Sequence, residues 1–235
     1  MTDAASWKLS TDLSEIPPGT YPDVFTGNEP AYQDMLPELT KAVAPGGTYL
    51  GVGPEQNFTY IAALRPKIAF LIDIRRDQML QHLIYKALFE MSTDRSDFVG
   101  RLFSRKRPAP LTADSSVQDI FRAYAATPAD AELIEEYLKG ILVSLKTKHH
   151  FELSENDEKR IRFIHTTFAR EGVVTFRNSQ ESPGYTRNMT STDRSGKNWS
   201  YLASNENFSL VRDMFEKNLI VPLVGDFTGP RTIRA

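Results

Sequence analysis

Residues 46–81 read GGTYLGVGPEQNFTYIAALRPKIAFLIDIRRDQMLQ, and this stretch decides the fold. Thr48 to Val52 is a short β-rich run, broken sharply at Gly51-Val52-Gly53-Pro54. Phe58 to Leu64 has helical spacing, and Arg65-Pro66 stops it. Ile68 to Ile72 is almost wholly apolar, as in a strand buried on both faces of a parallel sheet, and it ends on Asp73. A second helical pattern follows, with Met79, Leu80, Leu83, Ile84, Ala87 and Leu88 on one side. The stretch therefore predicts a βαβ unit. Such a unit offers two chemical handles. A glycine turn lets backbone N–H groups approach a ligand closely. A carboxylate at the tip of the second strand can accept hydrogen bonds from a diol lying across the strand ends.

Composition narrows the class. The chain has 235 residues, 40% hydrophobic and 25% charged, which suits a globular protein with one sizeable core or two small ones. A net charge of −2 gives no global attraction to nucleic acid or acidic membranes. The lack of cysteine excludes disulfides, thiol nucleophiles and cysteine metal sites, and fits a reducing, cytoplasmic setting. No basic-then-apolar leader opens the chain, and no apolar run is long enough to span a membrane.

Outward from the central stretch, residues 1–27 read as a polar arm, with Pro17-Pro18-Gly19 and Tyr21-Pro22 imposing extended or turn backbone. Asn28 is placed to cap a helix carrying Met35, Leu36, Leu39 and Val43 inward. Residues 92–203 read as a mainly helical insertion. Helices are expected at Ser96 to Phe103, from Ser115 or Ser116, from Thr127-Pro128-Ala129-Asp130, and from Ser154 to about Arg170, where Gly172 ends the run. Val173 to Phe176 is β-like. Residues 177–200, RNSQESPGYTRNMTSTDRSGKNWS, are polar throughout and predict a mobile flap. Ser204 caps a helix to Lys217, Leu219 to Val224 reads as a strand ending in Gly225-Asp226-Phe227, and Arg231 starts a last helical turn. Pro222 inside that strand calls for a sheet edge. The expected core is thus 28–91 with 204–235.

The order Gly51-Val52-Gly53, then Asp73, then Gly225-Asp226-Phe227, each at a strand end, resembles the cofactor half of a class I S-adenosylmethionine-dependent methyltransferase. GVGPEQNF and LIVPLVGDF also resemble bacterial members of unassigned function near that superfamily. The resemblance covers about 46–90 and 204–235. It implies an α/β, Rossmann-like, methyltransferase-type parallel sheet, incomplete, with a large helical insertion between the second and third core strands. It implies S-adenosylmethionine as cofactor, methyl transfer to an acceptor left open, and a small-molecule substrate as partner. Carried over by position, Gly51 and Gly53 approach the methionine end, Asp73 holds the ribose, and Asp226, with Phe227 beside it, faces the adenine. Glu55, Gln56 and Asn57 help hold the amino-acid end. The sequence departs from the family at Pro54-Glu55, where a further glycine is usual, and across residues 74–218, where one helix suffices. The fourth strand of the family is absent, which implies a fragment of a longer chain, a reduced relative, or a partner that completes the sheet at its open edge.

Two other functional classes compete. GxG followed by Asp73 also suits a nicotinamide-dependent oxidoreductase, although Gln56 stands where the longer GxGxxG pattern has glycine. A non-catalytic Rossmann-like module serving as ligand sensor or interaction partner is the other. Asp73 has a structural alternative as well, in a cap or an ion pair with Arg75 or Arg76. Arg101, Arg105, Lys106 and Arg107 form a basic cluster that offers an RNA or phosphate contact, with a solvated connector as the competing reading. His149 and His150 are adjacent and do not share a helix face, and no carboxylate sits at ligand spacing with them, so no metal site is predicted; the GxSxG elbow of a serine hydrolase is missing.

Overall fold

A computed structural model describes residues 1–15, 19, 21–173 and 183–234. The protein is α/β, with a small parallel sheet and many helices. The sheet holds β1 (Thr48–Val52), β2 (Ile68–Asp73) and β3 (Ile220–Val224) in the order β1-β2-β3. The register pairs Val52 with Ile72 and Asp73 with Val224, so the chain leaves all three strands at one end of the sheet.

Helix α3 (Gln56–Leu64) joins β1 to β2, and α4 (Arg76–Met91) follows β2. Between α4 and β3 lie α5 (Arg95–Leu102), α6 (Val117–Ala125), α7 (Ala131–Val143), α8 (Glu155–Glu171), α9 (Gly184–Thr190) and α10 (Asn205–Glu216). The starts follow local chemistry: Asp94, Ser116, Asp130, Ser154 and Ser204 each accept a hydrogen bond from a first-turn amide. Ser154 and Asp157 complete a reciprocal capping box. The cap of α7 is Asp130 rather than Thr127, because its carboxylate reaches both the Glu132 and Leu133 amides.

One apolar cluster runs from Phe58, Leu71 and Tyr85 through Phe98, Phe121, Ile141 and Phe168 to Phe208 and Phe215. The helices between β2 and β3 therefore share a core with the βαβ unit.

The N-terminal arm is partly a helix, α1 (Asp3–Leu13), capped by Thr2. Leu9 and Leu13 cover Ile72, Val221 and Leu223 on the second face of the sheet. Buried Ser6 and Ser10, four residues apart, put small side chains at the contact, which hid this helix from a reading based on apolar spacing. Pro222 finds the edge it needs. Leu219 O and Gly225 N bond to β2, so the even-numbered residues of β3 face outward, and Val224 N donates to Ser14 Oγ instead.

Other expectations change. After Asn28 the chain forms a short 3₁₀ turn at Tyr32–Met35 and then α2 (Leu36–Ala42); Leu36 is buried, but Met35 and Val43 are exposed. Residues 183–200 are not a flap. Tyr185 and Met189 are wholly buried, and Asn188 is bonded to Gly27 O at 2.8 Å. Asp193 binds the Ser195 and Lys197 amides and the Trp199 indole, so polar side chains fold this segment onto itself. Residues 177–182 lie outside the described residues, as do 174–176 of the β-like run; Val173 is in no strand. Arg231 to Arg234 form turns rather than a helix. Among the described residues no helix is long and apolar enough to cross a membrane.

Candidate functional site

The glycine turn is built from the inside. Asn57 Nδ2 lies 2.9 Å from Val52 O, 3.0 Å from Gly53 O and 2.9 Å from Pro54 O, while its Oδ1 accepts from Tyr49 OH at 2.8 Å. One side chain thus ties the end of β1 to the start of α3. Gly51 is required here: a Cβ would collide with Asn57 Oδ1 and stand 2.6 Å from the Tyr49 ring. Gly51→Ala is therefore expected to destabilise the protein by about 1–3 kcal/mol, the usual cost of overpacking. Thermal unfolding checks it, and a variant as stable as the parent would show that Asn57 yields easily. Gly53 takes φ +80, a conformation that favours glycine.

The next residues also face inward. Both Glu55 carboxylate oxygens accept from Gly27 N, at 3.0 and 3.1 Å, and Asn188 Nδ2 lies 3.2 Å away. Burial pushes the Glu55 carboxyl up to about 7. Gln56 is buried against Gly27 with its Oε1 unpartnered. His82 Nε2 stands 3.1 Å from Gly53 O; burial lowers its pKa to about 4, so the ring is neutral and donates there. The structure thus places Glu55, Gln56 and Asn57 beneath the turn, with Gly27 and Asn188 packed against Glu55 and Gln56. They do not form an open cradle for an amino-acid end.

At the tip of β2, Asp73 is closed by its own neighbour. Its Oδ1 accepts from the Arg75 amide at 2.9 Å and Nε at 2.8 Å, and its Oδ2 accepts from an Arg75 guanidinium nitrogen at 2.8 Å. The ion-pair alternative weighed for Asp73 is the arrangement found. At the tip of β3, Asp226 is half-buried and accepts from the Thr228 amide and hydroxyl, which hold its carboxyl below the usual range. Phe227 is exposed beside it.

Two open clefts flank these tips. One, of about 380 Å³, lies outside β2 and is lined by Ile74, Arg75, Arg76, Asp77, Tyr21, Asp157 and Arg160. The other, of about 340 Å³, lies outside β3 between α1 and α4, against Trp7, Ser14, Glu15, Met79 and Val224. Arg76 lines both. The first carries both charge signs in bonded pairs: Arg76 Nε on Asp157 at 2.6 Å, and Arg160 on Asp77 and Asp23.

A protein-family model described as a domain of unknown function (DUF7790) matches residues 25–235. The chain belongs to the DUF7790 family. No curated protein matches the sequence. In this DUF7790 chain the matched residues hold the whole sheet and α2 to α10, while α1 lies outside the match.

The remaining candidates are absorbed by structure. Arg101 pairs with Asp97 and Arg107 with Asp94, and Arg105 binds Thr127 O, so those arginines do not make a solvent-facing basic patch. His149 does have carboxylates, unseen in sequence because they come from distant segments: Asp3 Oδ1 at 2.9 Å and Glu90 Oε2 at 2.7 Å. Lys86 and Lys148 share Glu90, and the three partners together overcome burial and hold its carboxyl at about 2. Ammonium groups occupy the places a cation would take, and no metal-type cluster occurs among the described residues. Ser104 Oγ lies 3.5 Å from His165 Nε2, but the His165 Nδ1 is unpartnered and both side chains are buried, so no hydrolytic triad forms.

Proposed function

We propose that this protein is a Rossmann-like module that binds a small zwitterionic or nucleoside-type ligand outside the C-terminal ends of its strands, with S-adenosylmethionine the first ligand to test. The observation that carries the reading is the cleft at the tip of β2. Ligands of open parallel α/β sheets bind in the crevice outside the carboxyl ends of the strands, and here that crevice is lined by Arg75, Arg76 and Asp77, next to the buried Asp73 that ends β2. A guanidinium suits a ligand carboxylate, and a carboxylate suits an ammonium, a sulfonium or a ribose diol. The inward-facing glycine turn does not fit the methionine end of such a cofactor; the groups at the tip of β2 fit its charges. If methyl transfer follows, the sulfonium supplies the reactivity and the protein supplies alignment, which needs no catalytic base. A cytoplasmic location belongs to the same reading.

Calorimetry on the intact protein tests this. S-adenosylmethionine or S-adenosylhomocysteine is expected to bind, and NAD to bind more weakly. Asp73→Ala is expected to weaken binding by about 1.5–3 kcal/mol, the range for hydrogen bonds to a charged group. No heat with any of the three on folded protein would remove the proposal. Equal affinity in Asp73→Ala would move the site away from β2.

The second reading is a non-catalytic interaction module. It is favoured by the sealing of Glu55, Gln56 and Asn57 beneath the turn and by the Arg75 pair on Asp73.

A further inference from the structure

We propose that two copies of this chain pair through β1, forming an antiparallel, twofold-related ribbon that continues the sheet of one molecule into the other. The inference is independent of the ligand reading and starts from the backbone. Lys67 N donates to Gly47 O, which sets the phase of the ladder between β1 and β2. Odd-numbered residues of β1 face β2; Thr48 and Leu50 direct their N–H and C=O groups, and Val52 its N–H, to the outer edge, while Val52 O is taken by Asn57 Nδ2. Among the described residues no strand pairs with that edge. The opposite edge is different, because the chain after α1 bonds to Val224 at both its amide and its carbonyl.

An unpaired edge is usually guarded by charge, proline or a bulge. Thr-Tyr-Leu-Gly-Val has none of these. Its side chains add a second reason for a partner. Leu50 is 58% exposed and Val52 50% exposed, on the face turned away from α3. By register they sit beside Phe70 and Ile72 of β2, and the cover that Leu9 and Leu13 give Ile72 does not extend over β1. The edge and the face beside it are therefore open together.

The strand complements itself. Centring an antiparallel pair on Leu50 puts Leu50 opposite its symmetry mate and Thr48 opposite Val52. The Leu50 pair then exchanges both N–H···O bonds, and each Thr48–Val52 pair adds a bond from Val52 N to Thr48 O. The ends of the strand differ in charge. Exposed Lys67 lies along Gly46 at the start of β1. Exposed Glu29 lies two residues beyond Gly27, whose amide bonds Glu55 just past the other end of β1. An antiparallel pair brings the lysine end of one copy to the glutamate end of the other, whereas a parallel pair would set like charges together. A short ribbon with a small apolar face lies at the low end of specific interfaces, which bury about 1,200–2,000 Å². Association in the micromolar range is therefore expected.

Sedimentation velocity on the intact protein across roughly two decades of concentration reads the outcome. The expected result is a shift from the 26.6 kDa monomer toward twice that mass. Leu50→Glu sets like charges opposite each other across the axis and is expected to weaken dimerisation at least tenfold. Because Leu50 is exposed in the monomer, its circular dichroism and unfolding should stay unchanged. Lys67→Glu should weaken association, and adding Glu29→Lys to it should restore it. A protein that remains monomeric throughout would overturn the proposal, as would a dimer indifferent to Leu50→Glu. Slow amide exchange at Leu50 in a monomer would also overturn it, by showing the edge covered from within.

Discussion

Phe58→Ala is expected to lower stability by about 3–5 kcal/mol, the range for deleting a buried phenylalanine. The ring is fully buried at the start of α3. It meets Tyr85 at 5.1 Å, Tyr201 at 5.3 Å, Phe215 at 5.4 Å and Phe89 at 5.8 Å, and its angles to them, from 74° to 89°, are edge-to-face. Such pairs add about 0.5–1.5 kcal/mol beyond burial, so the upper half of the range is the better expectation. For a chain of this size, about 2–4 °C per kcal/mol gives a Tm loss of roughly 6–20 °C. The contacts come from α4, α10 and the segment before α10, so the loss should appear in one cooperative transition. Two resolved transitions, only one of them shifted, would show that the helices between β2 and β3 fold as a separate unit.

The next largest effect is pH-dependent and belongs to Glu55. Its carboxyl has an ordinary value of 4.5 and is pushed up to about 7 by burial in the fold. The folded state therefore holds the proton more tightly than the unfolded chain. That contribution is fully present below about pH 4.5, declines as pH rises, and is gone above about pH 7. A shift of this size corresponds to about 3 kcal/mol, at 1.36 kcal/mol per unit. Glu55→Gln keeps an oxygen to accept from Gly27 N and Asn188 Nδ2 but does not ionise. It is expected to match the parent near pH 4 and to exceed it by roughly 2–3 kcal/mol at pH 8. Urea unfolding of both proteins at several pH values checks this. Parallel pH profiles would mean that Glu55 titrates alike in the folded and unfolded chain.

These two neighbours show where the sequence was legible. The βαβ unit was readable because its signals are local: a β-rich run, a glycine break, a helical stripe and an apolar strand. The starts of α6, α8 and α10 were readable for the same reason, since each cap lies within three residues of the amide it serves. Pro222 correctly demanded an edge. The direction in which Glu55 and Asn57 point was not readable. It is set by Gly27 and Asn188, the latter 133 residues from Glu55, and no local pattern encodes that meeting. The polar composition of 183–200 misled for a related reason: Asp193, Asn198 and Asn188 spend their polarity on backbone groups of their own segment and its neighbours. Asp73 was legible as a strand-end carboxylate, and Arg75, two residues on, was legible as its partner.

That last pair would act on a ligand's affinity. A ligand that needs the Asp73 carboxylate meets it already held by three hydrogen bonds from Arg75. The open form is then a minority species, and the apparent affinity falls by the fraction of molecules in which the guanidinium has swung away. A side-chain swing takes pico- to nanoseconds, so the cost would fall on the affinity and not on the rate of association. To such a ligand Arg75 would be a competitor tethered two positions from the carboxylate it guards.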